Sequence, residues 1–503
     1  MPLVPLNIPK GQYANGTEYM AQGRWRDVNL VRWHEDALRP VGGWRPRSQS
    51  DNTSVSVSGV VRGVHTWVDN DGSRYAAFGT HNKLMAMLES SVTADITPSG
   101  LTAGRVDATV NTGWGSGGWG LFSWGVARPD LGSILRATTW SLDNWGEQLI
   151  ACSSDDGKAY YWDLNTSNDG VQITNAPVGS NAVFVTEERF LVCLGCDTSA
   201  SVTNNRRVAW SDQEDYTVWT PAATNQAGDI ELQTNGEILA GVRTRGQSLI
   251  LTNQDAHTMT YQGPPFVYGF ERVGTSCGLI GAGAYASVDI GVIWMGKRGF
   301  YIYSGGAVRE IPCEIGDLVF SNINYDQASK VQAVVNSQWN EIWWFYQSQD
   351  SDECDKYVAY DFVENIWTSG NLARTSGIDR GVFRQPFMLA TDGTVYEHEI
   401  GQSYSGATPY AETGPIAIGS GDRLMKVTKV IPDEKTQGDV NIKFKSRFYP
   451  NATESTHGPY TPANPTAVRF SGRQIRMRVE GDTPYAAWRV GTMRIDAKAG
   501  GRR

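Results

Sequence analysis

Three tight turns share one short pattern, and that pattern limits the fold more than any bulk property does. Asp71-Gly72-Ser73-Arg74-Tyr75, Asp156-Gly157-Lys158-Ala159-Tyr160 and Asp392-Gly393-Thr394-Val395-Tyr396 all read Asp-Gly-x-x-Tyr. Each follows an apolar run: His65-Thr66-Trp67-Val68, Leu149-Ile150-Ala151 and Phe387-Met388-Leu389-Ala390. Asp-Gly supplies the positive φ of a type I′ turn, so each copy is expected to be a β-hairpin whose second strand places an aromatic at a fixed depth. Gly72 and Gly157 lie 85 residues apart, which fits two units of the ~40–45 residues of a propeller blade. The third turn follows 236 residues later, which is not a clean multiple and implies diverged blades or insertions.

Other segments extend the pattern. Gly305-Gly306 closes a further hairpin after Phe300-Tyr301-Ile302-Tyr303. Tyr360-Asp361-Phe362-Val363-Glu364-Asn365-Ile366-Trp367 carries the tyrosine-aspartate, asparagine and tryptophan positions of a kelch-type blade edge, and Trp210-Ser211-Asp212 through Trp219-Thr220-Pro221 is a looser version. Period-2 alternation runs almost throughout, while helical spacing is hard to find. Aromatics at 11% (18 Trp, 21 Tyr, 15 Phe) suit pleated, half-buried surfaces. The expected class is all-β: a β-propeller core over residues 59–410, an extended N-terminal arm over 1–58, and a C-terminal β domain over 411–503. A string of unrelated sandwiches stays open at this point.

The arm carries Trp25, Trp33 and Trp44 among prolines and glycines without clear alternation, so these tryptophans are expected to bury themselves against a partner. Trp114, Trp119 and Trp124 sit in a glycine-tryptophan run over 113–125 that reads as a surface loop with aromatics for contact. After residue 411 the alternation is clean. Val440, Ile442 and Phe444 oppose Lys443 and Lys445, and Ile475, Met477 and Val479 oppose Arg476 and Arg478.

Net charge is −9, which argues against a sequence-independent nucleic-acid binder held by phosphate neutralisation. Its distribution is uneven: residues 421–503 hold 16 Lys/Arg and 8 Asp/Glu, net +8, leaving 28 and 45, net −17, for residues 1–420. The basic strands are expected either to meet an acidic neighbour or phosphate, or to be solvated outer faces. The start, Met1-Pro2 and a mixed polar stretch, lacks a charged-then-apolar leader, so synthesis in the cytoplasm is expected. The most apolar stretch, Gly278 to Gly296, reads as two short buried strands, and no membrane-spanning segment is expected. Six cysteines in 503 residues are too sparse for a disulfide scaffold and are expected to be reduced, mostly buried thiols.

Motifs that could carry chemistry fail on context. Gly115-Ser116-Gly117-Gly118-Trp119-Gly120 satisfies a dinucleotide-binding pattern, but no helical pattern follows it. Cys193-Leu194-Gly195-Cys196 follows a strand-like run rather than opening a helix, and no second cysteine pair completes a zinc site. His34-Glu35-Asp36 lacks a second histidine four residues on, and no Gly-x-Ser-x-Gly elbow occurs. No catalytic residue, metal ligand or cofactor site is therefore assigned. Ser153-Ser154-Asp155-Asp156-Gly157 approximates the aspartate box of sialidase propellers, which keeps a glycosidase in view as the strongest enzyme hypothesis.

The opening, Lys10-Gly11-Gln12-Tyr13-Ala14-Asn15-Gly16-Thr17, then Gly23-Arg24-Trp25, Leu30-Val31-Arg32-Trp33 and Leu38-Arg39-Pro40-Val41-Gly42-Gly43-Trp44, resembles the N-terminus of tail proteins from short-tailed bacteriophages. Val208-Ala209-Trp210-Ser211-Asp212, Ala227-Gly228-Asp229, Leu249-Ile250-Leu251-Thr252, Gly296-Lys297-Arg298-Gly299-Phe300 and the 113–125 run look like the body of the nozzle, or tail tubular, proteins of that group. The likeness covers most of residues 1–400 and weakens beyond 411. It implies a non-enzymatic propeller protein of the virion tail that forms a homo-hexamer below the portal and its adaptor and contacts a tail fibre or spike. Double-stranded DNA would pass through its lumen without specific recognition, and an acidic wall suits such a conduit. The alternative is a carbohydrate-active propeller, either a receptor-binding tail protein or a glycosidase.

Overall fold

A computed structural model of the chain describes residues 3–49, 52–110, 134–198, 200–417, 423–433, 439–481 and 487–501. Trp114, Trp119 and Trp124, with the Gly115–Gly120 motif, lie outside the described residues.

Seven four-stranded antiparallel sheets follow one another along the chain. Blade one spans Val61–Val68 to Thr93–Asp95, blade two Trp140–Trp145 to Val171–Gln172, blade three Ala182–Val185 to Gly228–Glu231, and blade four Ile238–Thr244 to Val267–Thr275. Blade five spans Tyr285–Val288 to Ala307–Ile311 and blade six Gln332–Asn336 to Ile366–Asn371. Blade seven takes Ser376–Ile378, Phe387–Leu389 and Val395–His398 from this part of the chain. The first strand of each blade contacts the first strands of the blades before and after it, and that of blade seven returns to blade one, so these strands close a ring around an axis. This is a seven-bladed β-propeller.

The outer strand of blade seven comes from the other end of the chain: Trp44–Pro46 pairs with Val395–His398, His398 opposite Trp44. The N-terminal region thus completes blade seven to four strands, and the ring keeps only the short outer edges of its blades.

The remaining strands form a β-sandwich. One sheet runs Val4–Pro5, Arg494–Ala499, Met425–Ile431, Thr466–Gly472; the other runs Trp25–Asn29, Tyr410–Thr413, Gln474–Glu480, Asn441–Arg447, Ser455–Tyr460. Phe444 and Phe470 meet between the sheets with ring centroids 4.9 Å apart. The segment expected as an extended arm thus supplies Val4–Pro5 and Trp25–Asn29 to a sandwich whose other strands come from the C-terminal region, and Ile366 from blade six joins its core.

The Asp-Gly turns are hairpin turns of a different type from the expected one. Gly72, Gly157 and Gly393 have φ of +87°, +67° and +80°, but their aspartates are not in the positive-φ region, so these are not type I′ turns. Gly72 N–H donates to Asp69 O and Asp69 N–H to Ser73 O, and Gly393 does likewise with Ala390 and Thr394, the pattern of a three-residue loop with a glycine bulge. Their places differ as well. The first turn joins strands one and two of blade one, the other two join strands two and three of blades two and seven. The 85-residue spacing therefore separates adjacent blades linked by a long insertion, not two blade lengths. Gly305-Gly306 closes a hairpin, as expected, with positive φ at both residues in type I′ geometry, which also occurs at Glu35-Asp36, with φ of +52° and +62°. The kelch-like edge closes as read: Tyr360 stacks on Trp367 at 4.4 Å and donates its hydroxyl to Asn365 Oδ1 at 2.7 Å.

Candidate functional site

The tryptophans assigned to partner docking are inside their own chain. Trp25 and Trp33, 5% and 4% exposed, pack in the sandwich core, and Trp44, 6% exposed, packs in the core of blades six and seven. Alternation was hidden because this segment changes sheet repeatedly: Gln12 and Asn29 bond the outer strand of blade six, Leu38 pairs with Val490 of the sandwich, and Trp44 enters blade seven. Burial satisfies these side chains without a partner.

A buried ionic lock fastens the same segment to the propeller. Arg32, 2% exposed, donates Nε and Nη2 to Glu341 of blade six at 2.9 Å each, and Nη2 and Nη1 to Glu399 after blade seven at 2.6 and 3.0 Å. Glu399 also accepts from Asn336 Nδ2, Trp339 Nε1 and Gly42 N–H, and Glu341 from Trp343 Nε1. Burial and the second carboxylate push Glu341 up to about 6 against the pull of Arg32. Glu399 is buried too, but Arg32 and its other donors hold it below the usual carboxylate value.

The alternating cations of the sandwich are paired with carboxylates of the same chain. Buried Glu412 takes Lys445 at 2.9 Å and Arg476 at 2.6 Å; Arg478 bonds Glu480 at 2.9 Å; Arg476 and Arg447 also meet Glu18 at 3.2 and 2.9 Å. The acidic neighbour that the alternating lysines and arginines called for is this chain itself.

The candidate site is the axial channel, a cavity of about 450 Å³ lined by the first strands of the blades. Titratable groups from four blades converge on it: His65, Asp143, Arg243 and Tyr285. Asp143 Oδ1 accepts from Arg243 Nη2 at 2.8 Å, and its Oδ2 from Val185 N–H at 2.8 Å, so one carboxylate ties blades two, three and four. His65 Nε2 bonds Asn144 Oδ1, and burial lowers the His65 pKa, keeping the ring neutral near pH 7. Burial raises Tyr285 to about 12.

The described parts of the connection between blades one and two reach the turn before blade six. Ala108 exchanges two hydrogen bonds with the Gln327 amide, at 2.8 and 3.0 Å, Ala137 N–H donates to Ser329 Oγ, and Lys330 Nζ reaches Asp107. The stem Thr109–Val110 and Ile134–Leu135 is thereby anchored across the ring, on the turn before blade six. Beneath it a further cavity of about 410 Å³ shares Thr139, Asn181, Leu239 and Ala282 with the channel.

Sequence reading did not find these groups. Residues 65, 143, 243 and 285 share no local spacing; each occupies the first strand of a different blade, which is visible only once the blades are counted. The aspartate-box segment is a structural turn: Asp155 accepts from Thr138 Oγ1 and Arg105 N–H, and Asp156 from Tyr160 and Thr102. Cys193 and Cys196 are free, buried thiols, and burial pushes both up, Cys196 to about 11. No helix among the described residues is long and apolar enough to cross a membrane, and no group of three metal-ligating side chains occurs among them.

No family model and no curated protein matches the chain. Among solved structures, a streptogramin B lyase is 10% identical, over 68% of this chain and 95% of that one, with a TM-score of 0.40. BamB from Moraxella catarrhalis is 12% identical, over 75% and 95% of the two chains, at 0.38, and the computationally designed Ika8 protein is 12% identical, over 77% and 99%, at 0.39. The fold assignment rests on the strand order and ring closure described above.

Proposed function

We propose that the chain is a structural subunit of a short-tailed bacteriophage tail, a nozzle protein that assembles as a hexameric ring below the portal and adaptor. One observation carries this reading: the stretch that bears the resemblance, residues 10–44, is the stretch that fastens sandwich to propeller. It supplies a strand to the sandwich, the Arg32 lock and the closing strand of blade seven. A subunit fixed in this way is one rigid body, suited to transmitting load between neighbours. Charge supports head-to-tail contacts. Residues 45–409, the propeller, carry net −17, and the remaining residues net +8. Tyr19, Met20, Phe448 and Tyr449 are exposed on the sandwich, where Gln474 joins Tyr19 to Arg447, and offer an apolar contact there.

A channel of about 450 Å³ has the size of a small-molecule site. In this reading the genome therefore passes between copies, along a lumen the ring encloses, and tail fibre or spike proteins attach outside it. Peptide mass spectrometry of purified virions tests the proposal: the chain is expected at half the portal's copy number, and its absence from the particle would remove the structural reading.

The convergence of His65, Asp143, Arg243 and Tyr285 favours a second reading, a carbohydrate-active propeller that holds its ligand in the axial channel. Binding or depolymerisation of host polysaccharide by the soluble chain distinguishes it.

A further inference from the structure

Among the titratable groups of the channel, the one carboxylate is spent and donors remain. Asp143 spends Oδ1 on Arg243 and on Asn144 N–H, and Oδ2 on Val185 N–H. Arg243 spends only Nη2 on that pair, and its side chain, 45% exposed, lines the cavity with donors to spare. The Tyr285 hydroxyl has no hydrogen-bond partner among the described residues, and with its pKa raised by burial it remains a donor at neutral pH. His65, with Nε2 on the Asn144 oxygen, adds no competing charge.

We propose that the axial channel binds a small organic carboxylate, gripped by the free edge of Arg243 and the Tyr285 hydroxyl. A planar guanidinium matches a carboxylate in a two-point bond, which a neutral hydroxyl cannot reproduce. The wall around the pair supplies Thr139, Ser287, Ser376 and the Gln332 amide, groups that suit sugar hydroxyls, and about 450 Å³ accommodates a monosaccharide. The ligand is thus an acidic sugar. This inference rests on the second reading of function and names its ligand class; it is independent of tail assembly.

The full chain is titrated with D-glucuronate, D-glucose and inorganic phosphate, with binding followed by calorimetry and ligand-observed NMR. Glucuronate is expected to bind saturably, and glucose and phosphate at least about tenfold more weakly, a difference of ~1.4 kcal/mol. Tyr285→Phe removes one oxygen and Arg243→Met removes the fork; each is expected to weaken glucuronate at least about tenfold. Because Arg243 also ties blade four to blade two, Tyr285→Phe with an unchanged melting midpoint is the decisive variant. Glucuronate affinity unmoved by both substitutions overturns the proposal, as does equally tight phosphate. Glucose binding as tightly as glucuronate overturns the carboxylate while keeping the carbohydrate reading, and failure of every probe overturns both.

Discussion

Arg32 shows how much one side chain can decide. Its guanidinium sits between two buried carboxylates, with the Trp339 ring 4.6 Å from Cζ over one face. Removing it leaves Glu341 and Glu399 facing each other without a counter-ion, and breaking a buried pair in this way costs about 3–5 kcal/mol. Arg32→Ala is expected to lower the denaturant midpoint accordingly, and Arg32→Lys to recover little, because a lysine cannot bridge both carboxylates; a midpoint within error of wild type for either would refute this. The two carboxylates titrate in opposite senses. Glu341, raised to about 6, favours the folded state once protonated, so its contribution is present below the ordinary glutamate value and is lost as pH rises through about 6. Glu399, held low, contributes above the ordinary value and loses its contribution as pH falls. Between pH 4.5 and 6 the Glu341 contribution makes stability rise on acidification, and Glu341→Gln is expected to remove that slope. Melting curves of the two proteins that run parallel across the window would contradict it.

Among the elements, the closing strand Trp44–Pro46 matters most, because blade seven has only three strands without it. Trp44 holds the strand by stacking on His398 at 5.4 Å, meeting Tyr404 edge-on and donating Nε1 to Ser405 Oγ. Trp44→Ala is expected to loosen this closure, seen as faster hydrogen exchange at Glu397, which lies opposite Arg45, and at Arg47, whose N–H donates to Val395 O, while blade four keeps its protection; equal protection in both proteins would argue against the closure role. Turn chemistry was legible at this scale only in part. Asp-Gly marked hairpins correctly, but a glycine with positive φ serves both the two-residue I′ turn and the three-residue bulge loop, so the dipeptide does not fix the loop type. The strand faces of the sandwich were fully legible, since alternation of Val440, Ile442 and Phe444 with Lys443 and Lys445 admits one buried side; what covers the charged side, Glu412 and Glu18, depends on pairing with distant strands.

At the scale of the whole molecule, both ends of the chain belong to one domain, and the propeller is an insertion between them. That arrangement couples the domains, and an acidic propeller beside a basic sandwich suits association of copies through opposite charge. If the ring reading holds, oligomers of the purified chain are expected to dissociate as salt rises from 0.05 to 0.5 M, about the range over which surface charge is screened; a salt-independent assembly measured by sedimentation would point to apolar contacts instead. The sequence alone determined the all-β class, the hairpins, the kelch-like edge at 360–367 and the two faces of the sandwich, because each follows from alternation or from local turn chemistry. Only the tertiary structure decided the count of seven blades, the closure by Trp44–Pro46, the burial of Trp25 and Trp33 within their own chain, and the meeting of His65, Asp143, Arg243 and Tyr285. Those depend on contacts between residues tens to hundreds of positions apart, and side-chain periodicity along a strand carries no record of which distant strand will lie beside it.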